Sequence, residues 1–264
     1  MQKTTPLLLR MIRLLQLCCH VASGYLQSIV YPYFPVFIQR SMMQRWSERL
    51  LTILNIKLKC QGRVPGWEIP RALFAANHVS WLDVCVVMAA CPTRFVAKAE
   101  INGWPLLGLL SKNAGTLFIE RSKRSDTVRI NRHISDVLET SQRVTVFPEG
   151  TTTNGKQLYH FHASLLQSAI TADALLYPVA IGYRNTTGEV CEDAAYIDSS
   201  LWISLQNILR QPGIVVELTF NEPIACGTKN RRELARLAER AIADTLSLPI
   251  PHKKTEKLSD PPAE

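Results

Sequence analysis

From residue 72 onward, apolar runs of strand length alternate with runs of helical period, and this rhythm constrains the fold more than any other feature. "ALFAAN" (72–77), "RFVAKA" (94–99), "TLFIE" (116–120), "RVTVF" (143–147), "LLYPVAIGY" (175–183) and "IVVELTF" (214–220) read as strands. Between them, "SWLDVCVVMAA" (80–90) reads as a helix, and "WPLLGLLSKN" (104–113) as a short helix with a proline near its start. "SDTVRINRHISDVLET" (125–140) reads as an amphipathic helix with Val128, Ile134, Val137 and Leu138 inward, and 229–246 as a charged one. Such alternation implies the α/β class: a mixed, mostly parallel sheet flanked by helices. At 264 residues, one α/β core can bury most of its apolar surface without disulfides or metal.

Residues 1–59 have a different texture. Lys3, Arg10 and Arg13 precede a run from Leu14 to Gln39 that holds no Asp, Glu, Lys or Arg, and Arg40 and Arg45 follow. The run is long enough to cross a bilayer as a helix. A cleaved signal peptide lacks a convincing small-x-small site here. For a spanning helix, Gln16, His20, Gln27, Pro32 and Pro35 dilute the run, and arginines on both flanks give it no inside and outside. An in-plane or half-inserted anchor fits better. "YPYFPVF" (31–37) sets aromatics beside prolines, as a turn at headgroup level would, and "MMQRWSERLLTILNIKLK" (42–59) places Met43, Trp46, Leu50, Ile53 and Leu54 on one helical face. The expected organisation is a membrane-associating helical segment (1–57), a catalytic-sized domain (58–248) and a polar, proline-rich, disordered tail (249–264).

Charge narrows the partners. The net charge of +8 favours polyanions, namely anionic lipid headgroups, an acidic carrier protein or nucleic acid. The basic residues are dispersed and no nucleic-acid-binding motif accompanies them, so nucleic acid ranks last. Seven cysteines at irregular spacings, with no C-x-x-C, point to reduced thiols in a cytosolic setting.

Two residues break the apolar stretch "LFAANHVSWLDVCVV" (73–87): His78 and Asp83. His78 follows a strand and Asp83 falls in the first turns of the next helix, so the carboxylate can hold Nδ1–H and leave Nε2 as a proton acceptor. That is a general base with its orienter. Ser80 reads as the helix N-cap rather than a nucleophile, and no G-x-S-x-G elbow occurs, so direct activation of a substrate hydroxyl is the simplest use. A second cluster, "FPEGTTTNG" (147–155), places Glu149 at a strand end with Gly150, Thr151 and Thr152 behind it; a polar turn with a helix cap fits it equally well. Lys98 lies in a strand-like run and Arg121 follows another, while Lys123 and Arg124 read as a solvated turn. His160 and His162 have no third ligand at a recognisable spacing, so no metal is expected.

N-H-x-x-x-x-D at 77–83, "GTLFIER" at 115–121, "FPEGT" at 147–151 and "YPVAI" at 177–181 resemble the four ordered blocks of the glycerolipid acyltransferases, typified by 1-acylglycerol-3-phosphate acyltransferase. The resemblance covers roughly residues 60–225 and implies an αβ sandwich held at the membrane by N-terminal helices. It implies His78 as general base and Asp83 as its partner. The donor it implies is a thioester of CoA or acyl carrier protein, acting as co-substrate with no further cofactor, and the acceptor is a lysolipid hydroxyl. Arg121 and the 147–151 block would bind the acceptor headgroup, with Lys98 as an addition and Thr152 next to the block. The expected location is the cytoplasmic face of the inner membrane, monotopic or with a single anchor. One departure stands out. Members that take lysophosphatidic acid commonly follow "EGT" with an arginine, a natural phosphate ligand, whereas this chain has Thr152; "FHASLLQSA" (161–169) also lacks a glycine the family often carries. That pattern resembles the branch that acylates lyso-ornithine lipid or other lysophospholipids. A non-catalytic lipid-binding protein and a hydrolase that uses water in place of the lysolipid are the competing classes.

Overall fold

The computed structural model describes residues 4–251 apart from 67, 70, 105, 106 and 121–123. Arg121 and the tail from residue 252 therefore lie outside the described residues. The chain opens with helix α1 (Leu7–Val30), a 3-10 turn (Tyr31–Tyr33) and α2 (Val36–Ile53). The strands are β1 (Ile56–Gly62), β2 (Ala72–Ala76), β3 (Arg94–Lys98), β4 (Leu117–Ile119), β5 (Arg143–Val146), β6 (Leu175–Arg184), β7 (Ile214–Phe220) and the short β8 (Ile224–Ala225). Helices α3 (Leu82–Ala90), α4 (Leu107–Asn113), α5 (Arg124–Glu139), α6 (Gln167–Thr171), α7 (Leu201–Arg210) and α8 (Arg231–Leu246) connect or follow them.

The strands form one mixed sheet in the order β1-β7-β6-β2-β5-β3-β4, with β8 beside β6. From β6 to β4 all neighbours are parallel; β7 is antiparallel to β6, and β1 is parallel to β7. The sequence of β2 explains its central place. All five residues of "ALFAA" are buried, as a strand covered on both faces requires. Successive side chains feed opposite layers: Phe74 joins Tyr177, Val179, Ile181 and Leu218 under α2, α3 and α7, while Leu73 and Ala75 join Val144, Val146 and Ala180 under α5, α6 and α8. In β7 only one face is fully covered, and the strand alternates buried Ile214, Val216, Leu218 and Phe220 with half-buried Val215, Glu217 and Thr219.

Some local expectations change. In α5 the inward row is Ile130, Ile134, Val137 and Leu138, while Val128 is 61% exposed; the stripe starts two residues later than read. The helix expected to run to Lys59 stops at Ile53. Asn55 adopts a left-handed conformation (φ 59°), donates its side-chain amide to the Pro212 carbonyl at 2.5 Å, and turns the chain into β1. The boundary expected at 57/58 thus falls inside a strand.

The apolar face of α2 also points elsewhere than expected. Leu50, Ile53 and Leu54 are buried in the domain core, with Met43 and Trp46 packed against it. Trp46 stacks on His20 of α1 (centroids 4.8 Å apart) above Gly24, where a Cβ would stand 2.5 Å from the indole nitrogen. The outward apolar surface belongs instead to α1 and its turn. Leu7, Leu8, Met11, Ile12, Leu15, Leu26, Ile29 and Val30 are exposed, as are Tyr33, Phe34 and Phe37. Among the described residues, Leu7–Tyr33 is the one segment with the length and mean hydropathy (1.3) to cross a membrane.

Candidate active site

The site grows from the end of β2. Leaving the sheet, Asn77 takes over the ladder with its side chain: its amide donates to the Ile181 carbonyl (2.9 Å) and its oxygen accepts from Ile181 N–H (2.7 Å). His78 follows on a turn whose backbone is pinned at both ends. Its N–H donates to Glu149 Oε1 at 2.7 Å, and its carbonyl accepts from Thr153 N–H at 2.8 Å.

Asp83, fully buried in the first turn of α3, accepts from His78 Nδ1 at 2.8 Å and from the backbone N–H groups of Val79 (2.7 Å) and Ser80 (2.9 Å), all through Oδ2. Its other oxygen, Oδ1, accepts from the Tyr183 hydroxyl at 2.6 Å. A buried carboxylate is tolerable only with such company. The carboxylate thereby satisfies the two amides of the turn that leads into α3, whose N-cap position is Trp81 with no side-chain cap. Ser80 does not cap the helix as expected; its hydroxyl is buried with no hydrogen-bond partner among the described residues.

With Nδ1–H committed to Asp83, Nε2 carries the free lone pair. The imidazole stacks face-on against Phe147 (centroids 4.1 Å, planes 15° apart) and keeps about a fifth of its side chain exposed (21%). Burial, reinforced by the Asp83 charge, holds the Tyr183 hydroxyl well above the ordinary tyrosine range, so it is a permanent proton donor. Burial and the same charge push the Cys85 thiol up to about 12, which leaves it inert as a nucleophile.

Glu149 is also buried. Its Oε1 takes His78 N–H and its Oε2 takes Tyr159 N–H, each at 2.7 Å. Burial pushes its carboxyl up to about 8, against the pull of those two amides. It braces the turn that carries the base. The Thr152 hydroxyl donates to the Tyr196 carbonyl, and Tyr196 N–H in turn donates to the Val79 carbonyl at 2.9 Å. Gly150 adopts a left-handed conformation (φ 77°), its N–H closing the turn onto the Phe147 carbonyl at 3.1 Å. Thr151 is exposed.

The parallel strands bring Lys98 to the same edge. β2, β5, β3 and β4 are neighbours running in the same direction, so His78, the 147–153 loop, the exposed Lys98 and Glu120 lie at their C-terminal ends. His160 and His162 do not converge on a metal centre; His160 Nδ1 meets Glu239 at 3.1 Å, and no group of three metal-ligating side chains forms among the described residues.

Sequence reasoning missed Tyr183, Phe147 and Thr153 as parts of the site. Phe147 and Thr153 lie inside the cluster already singled out. Tyr183 carried a signal too: in "YPVAIGY" it continues the period-two row Tyr177, Val179, Ile181, all buried, so its hydroxyl had to find a partner inside.

The sequence model of the acyltransferase family matches residues 57–182. A lyso-ornithine lipid O-acyltransferase of Pseudomonas aeruginosa is 37% identical over 206 residues, 78% of each chain. A 1-acyl-sn-glycerol-3-phosphate acyltransferase of Neisseria meningitidis is 41% identical over 172 residues, covering 65% of this chain and 67% of that one. The crystal structure of a 1-acyl-sn-glycerophosphate acyltransferase from Thermotoga maritima superposes with a TM-score of 0.63 over 89% of this chain and 96% of its own, at 18% identity, a likeness of fold. With these matches, and with His78 and Asp83 paired on such a sheet edge, the chain belongs to the acyltransferase family.

Proposed function

We propose that the protein transfers a fatty acyl group from a thioester of CoA or acyl carrier protein to the free hydroxyl of a 1-acylglycerol-3-phosphate-type lysolipid at a membrane surface. The observation that carries this reading is the Asp83–His78 pair, with Nδ1–H fixed and Nε2 free beside a partly open edge. Nε2 takes the proton of the acceptor hydroxyl as its oxygen attacks the thioester carbonyl. The C–O bond forms, the C–S bond breaks, and the imidazolium returns the proton to the departing thiolate. The Asp83 carboxylate stabilises the transient cation across 2.8 Å.

The developing oxyanion needs donors. The amides of Val79 and Ser80 are taken by Asp83 and that of Gly150 by Phe147, which leaves the exposed turn at Thr151 and Thr152 to supply them. Lys98 and this turn form the acceptor-binding rim, and Arg121, outside the described residues, is assigned to the same headgroup by its place in the sequence block. Asp83, Tyr183 and Glu149 position the base without touching substrate.

A second reading takes lyso-ornithine lipid as acceptor. Thr152 favours it, because that position offers no cation to a phosphate monoester and its hydroxyl is already spent on Tyr196. The relative matched over 78% of each chain also bears that activity in its name.

The exposed apolar face of α1 supports attachment to the membrane surface at the cytoplasmic side, where acyl thioesters are found. Incubating purified protein with labelled acyl-CoA or acyl carrier protein and a panel of lysolipids tests the whole reading. Lipid product should form with one acceptor class and vanish in His78→Ala. Free fatty acid without lipid product, or undiminished transfer by His78→Ala, would overturn it.

A further inference from the structure

At the sheet edge opposite His78, the α1–α2 turn and the N-terminal ends of β3, β4 and β5 enclose a recess of about 60 Å³, several times what one water molecule requires. Three arginines line it: Arg40 from α2, Arg94 at the start of β3 and, buried behind them, Arg143 at the start of β5. Gln39, Gln142 and Asn113 add neutral polar groups, and no carboxylate occurs among the described lining residues.

The arginines are held in place rather than left to solvent. Arg40 Nη2 donates to the Ser141 carbonyl at 3.3 Å; Arg143 donates to Cys91 Sγ (2.7 Å) and to the Gly66 carbonyl (2.5 Å). Arg94 lies against Gly115, a residue with φ 77° where a Cβ would stand 3.1 Å from Arg94 Nε, so the glycine makes room for the guanidinium. Burial draws Arg40 and Arg94 down from the usual guanidinium value, and Arg143 lowers Arg40 further by repulsion. Like charges collected in one partly dehydrated recess favour an anion there.

The setting indicates which anion. Tyr31 and Val36 line the recess, and the rings of Tyr33, Phe34 and Phe37 beside them are exposed at the end of the apolar face of α1. Planar, bidentate guanidinium groups suit the oxygens of a phosphate ester.

We propose that this recess is a second lipid site, separate from the catalytic edge, that takes the phosphate group of an anionic phospholipid headgroup. It rests on the membrane-surface reading above and adds to it a preference for anionic over zwitterionic bilayers. A headgroup bound there ties the α1–α2 turn to the sheet.

The test is cosedimentation of the full chain with vesicles of phosphatidylcholine, with and without phosphatidylglycerol. Arg40→Gln/Arg94→Gln should lose about tenfold or more in affinity for the anionic vesicles. The control pair Arg236→Gln/Arg240→Gln, which removes the same charge from the exposed side of α8, should lose much less. Binding to pure phosphatidylcholine and acyl transfer in detergent should stay unchanged in the double variant, and Arg94→Lys should restore part of the loss. Glycerophosphoglycerol should raise the melting temperature of the wild-type protein and not of the double variant. Inorganic phosphate stabilising as strongly at the same concentration would mark the ligand as free phosphate and overturn the lipid assignment. A double variant that binds anionic vesicles like the control pair overturns the site alone. A wild-type chain that binds neither vesicle overturns the site and the membrane reading together.

Discussion

The Tyr183 hydroxyl donates to Asp83 Oδ1 at 2.6 Å, although the two residues lie 100 positions apart. β6 pairs directly with β2, and that pairing sets Tyr183 over the start of α3. The phenol satisfies the carboxylate oxygen that His78 leaves unused and fixes the direction of the other. Tyr183→Phe removes only this donor. The expected loss is about 1–3 kcal/mol of stability and roughly tenfold in kcat with KM little changed. Steady-state kinetics beside a denaturant melt separates this from a purely structural role, which would lower stability and leave kcat of the folded protein in place.

Asp83→Asn tests orientation against charge. Oδ2 accepts from three donors, so an amide that keeps its oxygen there turns its NH2 toward the Tyr183 hydroxyl, and one turned the other way points N–H at those three donors. In either orientation the imidazole loses the negative charge that stabilises its protonated form. Acyl transfer should fall roughly a thousandfold or more, while membrane binding stays intact. Activity within tenfold of the parent, measured with the preferred acceptor, would remove Asp83 from the mechanism.

The legibility of this chain follows from distance along it. The β2–α3 unit was readable because His78 and Asp83 sit within one loop–helix junction, and a histidine beside an acid in an apolar run has few structural excuses. β5 and the 147–153 loop were readable for the same local reason. What escaped depends on which strands become neighbours. Nothing local says that β6 lies against β2, which brings Tyr183 to Asp83, or that Glu149 spends both oxygens on backbone amides of His78 and Tyr159. The apolar face of α2 was legible as a face, but a helical stripe looks the same whether it meets lipid or a sheet; the packing of Leu50, Ile53 and Leu54 decides for the sheet. β1 was hidden because "NIKLK" continues a helical pattern until Asn55 breaks it with a left-handed turn.

Glu149 gives the protein a signature in pH. Its carboxyl, ordinarily near 4.5, is raised by burial to about 8 in the folded chain. Between those values the folded protein keeps a proton that the unfolded chain releases, so stability is highest at the acid side of the window and declines as pH rises through it. The decline should be on the order of 1 kcal/mol or more across that range. Glu149→Gln should flatten this contribution and, because an amide turns a donor toward a backbone N–H, cost about 1–3 kcal/mol at pH 5. Urea melts of both proteins at several pH values read the difference; parallel curves would refute the assignment.

Thr152 controls acceptor choice if the rim reading holds. Replacing it with arginine breaks the hydroxyl bond to Tyr196 and adds a planar cation beside the 147–151 turn. Selectivity, taken as the ratio of kcat/KM for 1-acylglycerol-3-phosphate over lyso-ornithine lipid, should rise by about tenfold or more, the size of one charge-assisted pair. An unchanged ratio in a folded Thr152→Arg protein would place the headgroup elsewhere along the edge.

The outward face of α1 sets the last expectation. Leu8, Met11 and Leu15 are 60–72% exposed and spaced three and four apart, so they form one stripe along the helix, and no described part of the chain covers them. A helix buried in the core would show the opposite pattern, as α3 does with Leu82, Val86 and Val87 at zero exposure. Leu8→Glu/Leu15→Glu should leave the melting temperature within a few degrees, because neither side chain packs against the domain. The same change removes two apolar contacts from the lipid surface and puts two negative charges in their place, so affinity for vesicles should fall by about a hundredfold. Vesicle flotation and a detergent-based acyl-transfer assay on one preparation check this. Lost flotation with retained transfer ties α1 to the membrane; a large fall in melting temperature would instead show that the stripe faces protein.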